Sequence, residues 1–245
     1  GSISIRNTLV VFQFAVSIGL IICTILAYQQ ISYTRNKDLG FDKEQVIALS
    51  HFDLLGNKAA AVKQAITKQA IVEEASLITD IIPRTYRGNT FWKKGDSQKY
   101  MLYWYAGDYD HLQTMGIELL AGRNFSSEFS TDTLGVLLNE TAVRTLEINE
   151  PIGAEISHDE SDVGTYKVLG VIKDFNFKSL HYEIEPMAIF LHENGAFLLV
   201  RFSPGNVAQA LDKIEDVWRR YATNVPFEYT FIDEEFDRKF RAEQR

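Results

Sequence analysis

The chain has 245 residues, 46% hydrophobic, 24% charged and 12% aromatic, which is the composition of a folded protein and excludes whole-chain disorder, collagen-like repeats and low complexity. Lys and Arg total 25 against 33 Asp and Glu, a net charge of −8 with no basic run, so no nucleic-acid partner is expected. The single cysteine, Cys23, excludes an internal disulfide and a cysteine-based zinc site.

From Leu9 to Tyr28 the sequence reads LVVFQFAVSIGLIICTILAY, twenty residues without a charge. As a helix this run spans ~30 Å, the hydrocarbon thickness of a bilayer. Residues 1–28 are therefore predicted to be a transmembrane helix with a short N-terminal flank. A signal peptide would have a shorter apolar stretch and a small-x-small cleavage site. The faces of the helix are sorted. Val11, Phe14, Ile18, Ile21, Ile22 and Ile25 form a bulky apolar side, expected to face lipid. Ala15, Gly19, Cys23 and Ala27 recur every four residues, the small-xxx-small spacing that lets membrane helices approach closely. Cys23 reads there as a small packing residue rather than a reactive thiol. Arg6 flanks one end and Arg35 and Lys37 the other, which fixes no orientation. Residues 29–44 read as a helical stalk and linker closed by Gly40. Every acidic residue lies beyond the apolar run, so residues 29–245 carry 24 basic against 33 acidic groups, or −9.

The body opens with a short strand at 45–50. A helix follows at about 57–70, with Val62, Ala65, Ile66 and Ala70 on one buried stripe. A strand is predicted from Ala75 to Ile82, stopped by Pro83. Residues 84–99, with Arg84, Arg87, Lys93, Lys94, Gly88 and Gly95, read as a hairpin. The aromatic ladder from Tyr100 to Ala106 reads as a strand lying under helices rather than as a stacking platform for sugars or bases. Asp108–Met115 is a short helix ended by Gly116, and Gly122-Arg123-Asn124-Phe125 is a turn. Strand Val136–Leu138 runs into Asn139, the N-cap of helix Glu140–Glu147. Pro151-Ile152-Gly153 turns the chain into Ala154–Ile156. Strands follow at Tyr166–Ile172, Met187–Leu191 and Phe197–Phe202. Asn206 and Gln209 form a capping box for helix 207–221, which buries Val207, Leu211, Ile214, Trp218 and Tyr221. A last strand at Pro226–Ile232 leads into helix 234–245, capped by Asp233, with Phe236 and Phe240 on one side for packing as a second stalk.

Strand–helix–strand on both sides of a long excursion is a split βαβ pattern. The predicted class is α+β: a transmembrane helix, a split ferredoxin-like lobe at 45–116 and 196–233, an inserted β-rich lobe at 117–195, and a C-terminal stalk helix at 234–245. Helices 57–70 and 207–221 should lie on one face of a shared sheet.

The sequence holds no phosphate-binding glycine loop, no nucleophile elbow and no pair of histidines at zinc spacing. Three polar clusters remain. His158-Asp159-Glu160-Ser161-Asp162 is the best metal candidate but reads as a solvated hairpin tip. Asp108, Asp110 and His111 form the second, in which Asp110 also fits a helix N-cap. Asp233-Glu234-Glu235 could be paired carboxylates, though acids at a helix start are favoured by the dipole alone. No catalytic constellation, cofactor site or metal site is predicted, and the chain is not expected to be an enzyme.

The stretch 9–49, LVVFQFAVSIGLIICTILAYQQISYTRNKDLGFDKEQVIAL, resembles the start of MacB-like and FtsX-like ABC transporter permeases in the form typical of Bacteroidetes. LLNETAVRTL (137–146), VLGVIKDFNFKSLHYEIEP (168–186) and PFEYTFIDEEFDRKFRAEQR (226–245) resemble later family blocks in the same order. The resemblance implies one transmembrane helix and the periplasmic core of a type VII permease in the bacterial inner membrane, with a porter-like lobe and an inserted Sabre-like lobe. It implies a cytoplasmic ABC ATPase subunit, a second permease half or protomer, a periplasmic adaptor, an outer-membrane channel and membrane lipid as partners. The role it implies is mechanical: ATP-driven motion is passed across the membrane for export or extraction of a substrate. Two alternatives fit the same layout, an extracytoplasmic ligand-sensing domain of a signalling receptor and a membrane-anchored enzyme; the missing motifs disfavour the latter.

Overall fold

In the computed structural model, residues 2–36, 44–82, 87–159, 164–177, 183–205 and 207–243 are described, with side chains of the first helix continuous only from Val10 to Leu26. The chain divides into two compact units, 1–38 and 39–245.

The first unit is one helix, α1 (Ser2–Asn36), which contains the predicted apolar run. Its large side chains are bare: Val11 and Phe12 are each 68% exposed. Of the predicted ends of the span, Leu9 lies outside the described side chains and Tyr28 is exposed. Among the described residues no helix is long and apolar enough to cross a membrane. Gly40, Pro83, Arg84 and Asn206 also lie outside the described residues, and with them the stalk end, the strand stop and the capping box.

The second unit runs β1 (Val46–Leu49), a 3-10 turn at Phe52–Lys58, α2 (Ala59–Thr67), β2 (Val72–Ile78), β3 (Arg87–Lys93), β4 (Tyr100–Gly107), α3 (His111–Met115) and β5 (Leu119–Gly122). It continues with a 3-10 turn at Ser130–Leu134, β6 (Gly135–Asn139), α4 (Glu140–Thr145), β7 (Glu155–His158), β8 (Tyr166–Ile172) and β9 (Met187–Leu191). β10 (Phe197–Phe202), α5 (Val207–Tyr221), β11 (Tyr229–Phe231) and α6 (Ile232–Glu243) close it.

Two strand systems result. The first is an antiparallel sheet in the order β11-β1-β10-β2. β1 is buried on both faces, so its four residues are all apolar and sort by alternation. Ile47 and Leu49 join Val62 and Ile66 of α2 and Ile214 and Trp218 of α5 in one core cluster. Val46 and Ala48 join Leu112 of α3 and Ile232 and Phe236 of α6 in another. Helices α2 and α5 thus share one face of the sheet.

The second system closes on itself. β4 pairs β3, β3 pairs β7, β7 pairs β8, β8 pairs β6, β6 pairs β9, and β9 pairs β4 again. Closure leaves these six strands without a free edge, and β5 adds outside β8. Leu102, Ala106, Val136, Leu138, Ala188 and Phe190 share a third cluster with Ala142 of α4 and Leu146 just past its end. Tyr105, Leu137, Met187 and Ile189 point the other way, into the cluster shared with α6. The two systems touch through one paired position, Ile78 opposite Gly107.

Several expectations change. β3 and β4, read as part of a 45–116 lobe, hydrogen-bond to β7 and β9 of the predicted insert. The aromatic strand β4 packs with helices on both faces, Leu102 and Ala106 with Ala142 of α4 and Tyr105 with Leu112 of α3 and Phe236 of α6. β5 and the 3-10 turn at Ser130–Leu134 were not expected. Val207 and Tyr221, predicted buried on α5, are 39% and 38% exposed, while Ala210 and Val217 take inner positions. Phe236, predicted to offer a stalk-packing surface, is fully buried in the body's own core. Ile232 and Phe236 stand four residues apart on α6, and β11 pins the helix start beside β1, so the helix docks on its own unit. The side chain of Phe240 is not among those described.

Candidate functional site

The predicted cluster of Asp108, Asp110 and His111 falls at the junction between the two strand systems. The Asp108 backbone N–H donates to Leu77 O at 3.0 Å, and the Leu77 N–H donates back to Asp108 Oδ2 at 2.8 Å. Lys63 of α2 reaches across to Asp108 Oδ2 and Asp110 Oδ2, both at 2.6 Å. Asp110 is the N-cap residue of α3, but its side chain makes no cap bond and turns to Lys63 instead. The Asp108 carboxylate is 4% exposed. Burial raises its pKa, against the pull of Lys63. Burial draws Lys63 down, but the two acids outweigh it and hold its pKa above the usual lysine range. His111 separates from this pair. It is buried with its Nε2 in hydrogen-bond contact with the Tyr105 hydroxyl at 2.8 Å, and burial pushes its pKa down to about 3, so the ring is neutral.

Beside the Lys63 bridge an open groove of about 1000 Å³ runs between α2 and the ends of β4 and β9, lined by Asn57, Lys63, Gln64, Asp108, Tyr109 and Glu193 among others. The Tyr109 hydroxyl donates to Glu193 Oε1 at 2.7 Å, and that bond, with burial, pushes the phenol up to about 12. The groove thus holds structural ion pairing and no nucleophile–base pair. Lys63 and Glu193 were not singled out in the sequence. Their partners are 45 and 84 residues away, so no local spacing signals them.

The other two clusters do not assemble into sites. His158 ends β7 as a buried residue rather than a solvated tip, ringed by Phe91, Trp104, Tyr166 and Phe190 at centroid distances of 5.1, 6.3, 5.5 and 5.5 Å. Its Nδ1 lies 3.3 Å from Asn89 Nδ2. The alternation Ile156–His158 was the available signal, because it places His158 on the same face as a buried isoleucine. Asp159 pairs with Lys99 at 2.8 Å, and Glu160–Asp162 lie outside the described residues. At the start of α6, Asp233 Oδ1 accepts from the Glu234 N–H, while Glu235 is buried and paired with Arg238. Among the described residues no group of His, Cys, Asp or Glu could hold a metal ion.

The described residues thus form an α+β unit of two joined strand systems, in which Asp108, Asp110, Asp159 and Glu235 are each taken up in ion pairs. Residues 9–217 match the MacB-like periplasmic core domain, and the chain belongs to that family. The fold is that of the periplasmic region of MacB from Actinobacillus actinomycetemcomitans, with a TM-score of 0.56 at 14% identity over 81% of this chain and 94% of that one. It is also similar to a domain of a putative permease protein from Porphyromonas gingivalis, with a TM-score of 0.52 at 18% identity over 77% and 90% of the two chains. The extracellular domain of the noncanonic ABC-type transporter YknZ from Gram-positive bacteria gives 0.52 at 11% identity over 76% and 98%. No curated protein sequence matches the chain. The family is a periplasmic part of ABC transporter permeases, which work with ABC ATPases, and is not a catalytic family.

Proposed function

We propose that this chain passes ATP-driven motion across the bacterial inner membrane, as the core segment of a type VII permease that exports or extracts a substrate and catalyses nothing itself. On this reading α1 is the membrane helix. Its support is the unbroken apolar run 9–28 and the exposure of its bulky residues, with Phe14 at 65% and Ile21 at 58%. Leaving such side chains in water costs ~1.5–3 kcal/mol each relative to burial, so a lipid or protein surround is expected. A cytoplasmic ATPase, a second permease half or protomer, a periplasmic adaptor and an outer-membrane channel complete the assembly.

The order β11-β1-β10-β2, with α2 and α5 on one face, supports a split ferredoxin-like, porter-like lobe. The closed ring supports an inserted Sabre-like lobe. The pairing of β3 and β4 with β7 and β9 favours a divide in the connection after β2 rather than at residue 117.

One observation carries the mechanical reading. The first strand of the body and its last helix share a core: Val46 and Ala48 of β1 pack with Ile232 and Phe236 of α6 and with Leu137, Met187 and Ile189 of the ring. A displacement delivered at either end acts on both strand systems, because close-packed interiors compress little. The test is a Gly-Gly insertion after Arg35 or after Arg238 in the whole permease. Folding and ATP hydrolysis should stay nearly intact while transport is lost. Full transport with both insertions in place would overturn the reading and favour a sensor or a simple anchor.

A further inference from the structure

The last carbonyls of a helix need partners from outside it. At the end of α3 one partner comes from β10, where Arg201 Nε donates to Thr114 O at 2.8 Å. The same guanidinium donates through Nη1 to Glu44 O at 3.1 Å. Glu44 is the first described residue of the second unit, where the chain comes from the predicted stalk into β1. Arg201 is only 8% exposed, and bonds from a charged donor withdrawn from water are strong ones.

The backbone at this entry is held as well. The Phe202 N–H donates to Gln45 O at 3.0 Å, and Val46 stands opposite Arg201 in the β1–β10 ladder. Gln45 is left-handed, with a φ of 57°, a conformation that a residue with a side chain keeps where its surroundings impose it. Arg201 therefore joins three parts of the body. These are the entry of the chain, a strand paired with β1 on one side and β2 on the other, and the helix that links β4 of the ring to β5. Packing does not do the same. Val46 and Leu112 of α3 share a core cluster, which resists compression, but apolar contacts have no direction. A planar guanidinium with fixed donors sets both the distance and the direction between the groups it bonds.

We propose that Arg201 is the positioning residue that hands a displacement arriving at Glu44 to α3, and through α3 to the ring. The proposal rests on the mechanical reading above and assigns the coupling to one side chain.

The test is hydrogen exchange, read by mass spectrometry, on the whole permease with its ATPase in lipid nanodiscs, first without nucleotide and then trapped with ATP and vanadate. In the wild type, trapping should change exchange at both Val46–Leu49 and His111–Met115. Arg201→Met should keep ATP hydrolysis and the change at Val46–Leu49, and lose the change at His111–Met115. Arg201→Lys keeps the buried charge with one donor nitrogen in place of two, so it serves where Arg201→Met does not fold and should lose most of the α3 change. Trp218→Ala loosens the same sheet from its other face and should keep both changes. A full α3 change in Arg201→Met, or in Arg201→Lys where the methionine variant does not fold, would overturn the proposal and leave the mechanical reading standing. So would a wild-type change confined to Val46–Leu49. Loss of the α3 change in Trp218→Ala would also overturn it, by making the effect one of stability. No wild-type change at Val46–Leu49 would overturn the mechanical reading and the proposal with it.

Discussion

Replacing Lys63 with Met tests whether the bridge across the two strand systems holds them together. The substitution keeps most of the side-chain volume and removes the cation bonded to Asp108. The carboxylate left behind is almost fully buried and retains the Leu77 N–H. Breaking a buried pair by removing one partner costs ~3–5 kcal/mol. Lys63 is 20% exposed and Asp110 is 50% exposed, so water compensates in part and about 2–3 kcal/mol is expected near pH 7. For a unit of this size the loss lowers Tm by roughly 4–12 °C. The pH dependence gives a second readout. The folded-state pKa of Asp108 is raised by burial, so ionising it costs stability as pH rises from the ordinary carboxylate range through the folded value. Without Lys63 that pKa rises further. The gap between wild type and Lys63→Met should therefore be widest near pH 7 and narrow as pH falls and the Asp108 carboxylate takes up its proton. Adding Asp108→Asn to Lys63→Met should recover part of the loss. Urea unfolding followed by tryptophan fluorescence measures all three. A gap below ~0.5 kcal/mol near pH 7, or one that does not change with pH, would refute the reasoning.

Three further outcomes are expected. Trp218→Ala should cost ~3–5 kcal/mol in the same unfolding assay, because it empties a site 1% exposed and leaves Val225 O without its indole donor at 3.0 Å; a loss under ~1 kcal/mol would count against the packing described. Gly122→Ala should destabilise by ~1–3 kcal/mol, since its φ is +75° and a Cβ would stand 2.2 Å from the Leu169 carbonyl oxygen, a backbone atom that cannot swing aside; an unchanged Tm would contradict it. His111, pushed down to about 3 by burial, has a folded pKa below its unfolded one, so its contribution is present above about pH 6.5 and is lost as pH falls, by about 1.4 kcal/mol per pH unit below 6. Ring-nitrogen NMR should find it neutral at pH 5, and a midpoint near 6.5 would disprove the assignment.

What the sequence disclosed was local. Helix 207–221 was readable because its apolar residues recur at helical spacing, and Asn139 because a cap must stand just before a helix. Its Oδ1 does accept from the Ala142 N–H at 2.8 Å. The same oxygen also accepts from the Met187 N–H, and the side-chain amide donates to Glu185 O. Those partners lie 46 and 48 residues away and leave no spacing to read. The ring was hidden for the same reason. A strand's pattern shows that it is a strand, but Phe91 opposite His158 and Tyr105 opposite Ile189 are choices made over distance. β5 escaped because four residues ending in a turn glycine carry too little alternation. For the polar clusters, sequence placed Asp108 and Asp110 together correctly and missed Lys63, the residue that gives the cluster its structural role.

The position of that cluster bears on how the body could move. Each strand system is stiff in itself: β1 has apolar neighbours on both faces, and the ring is fastened at Asn139 through β6, α4 and β9. Between them the ladder is a single paired position, Ile78 opposite Gly107, extended by the reciprocal bonds of Leu77 and Asp108 and by Thr79 N to Ala106 O at 3.0 Å. Apolar packing beneath the sheet resists separation but has no direction. Hydrogen bonds and the Lys63 bridge do have direction, so they set the angle at which the two systems meet. A few polar bonds beside an open groove are also easier to rearrange than a close-packed core, because water can replace each partner as it leaves. A relative movement of the two systems would therefore begin at Lys63, Asp108 and Asp110. The shared cluster containing Val46, Ile189 and Phe236 would act as the pivot.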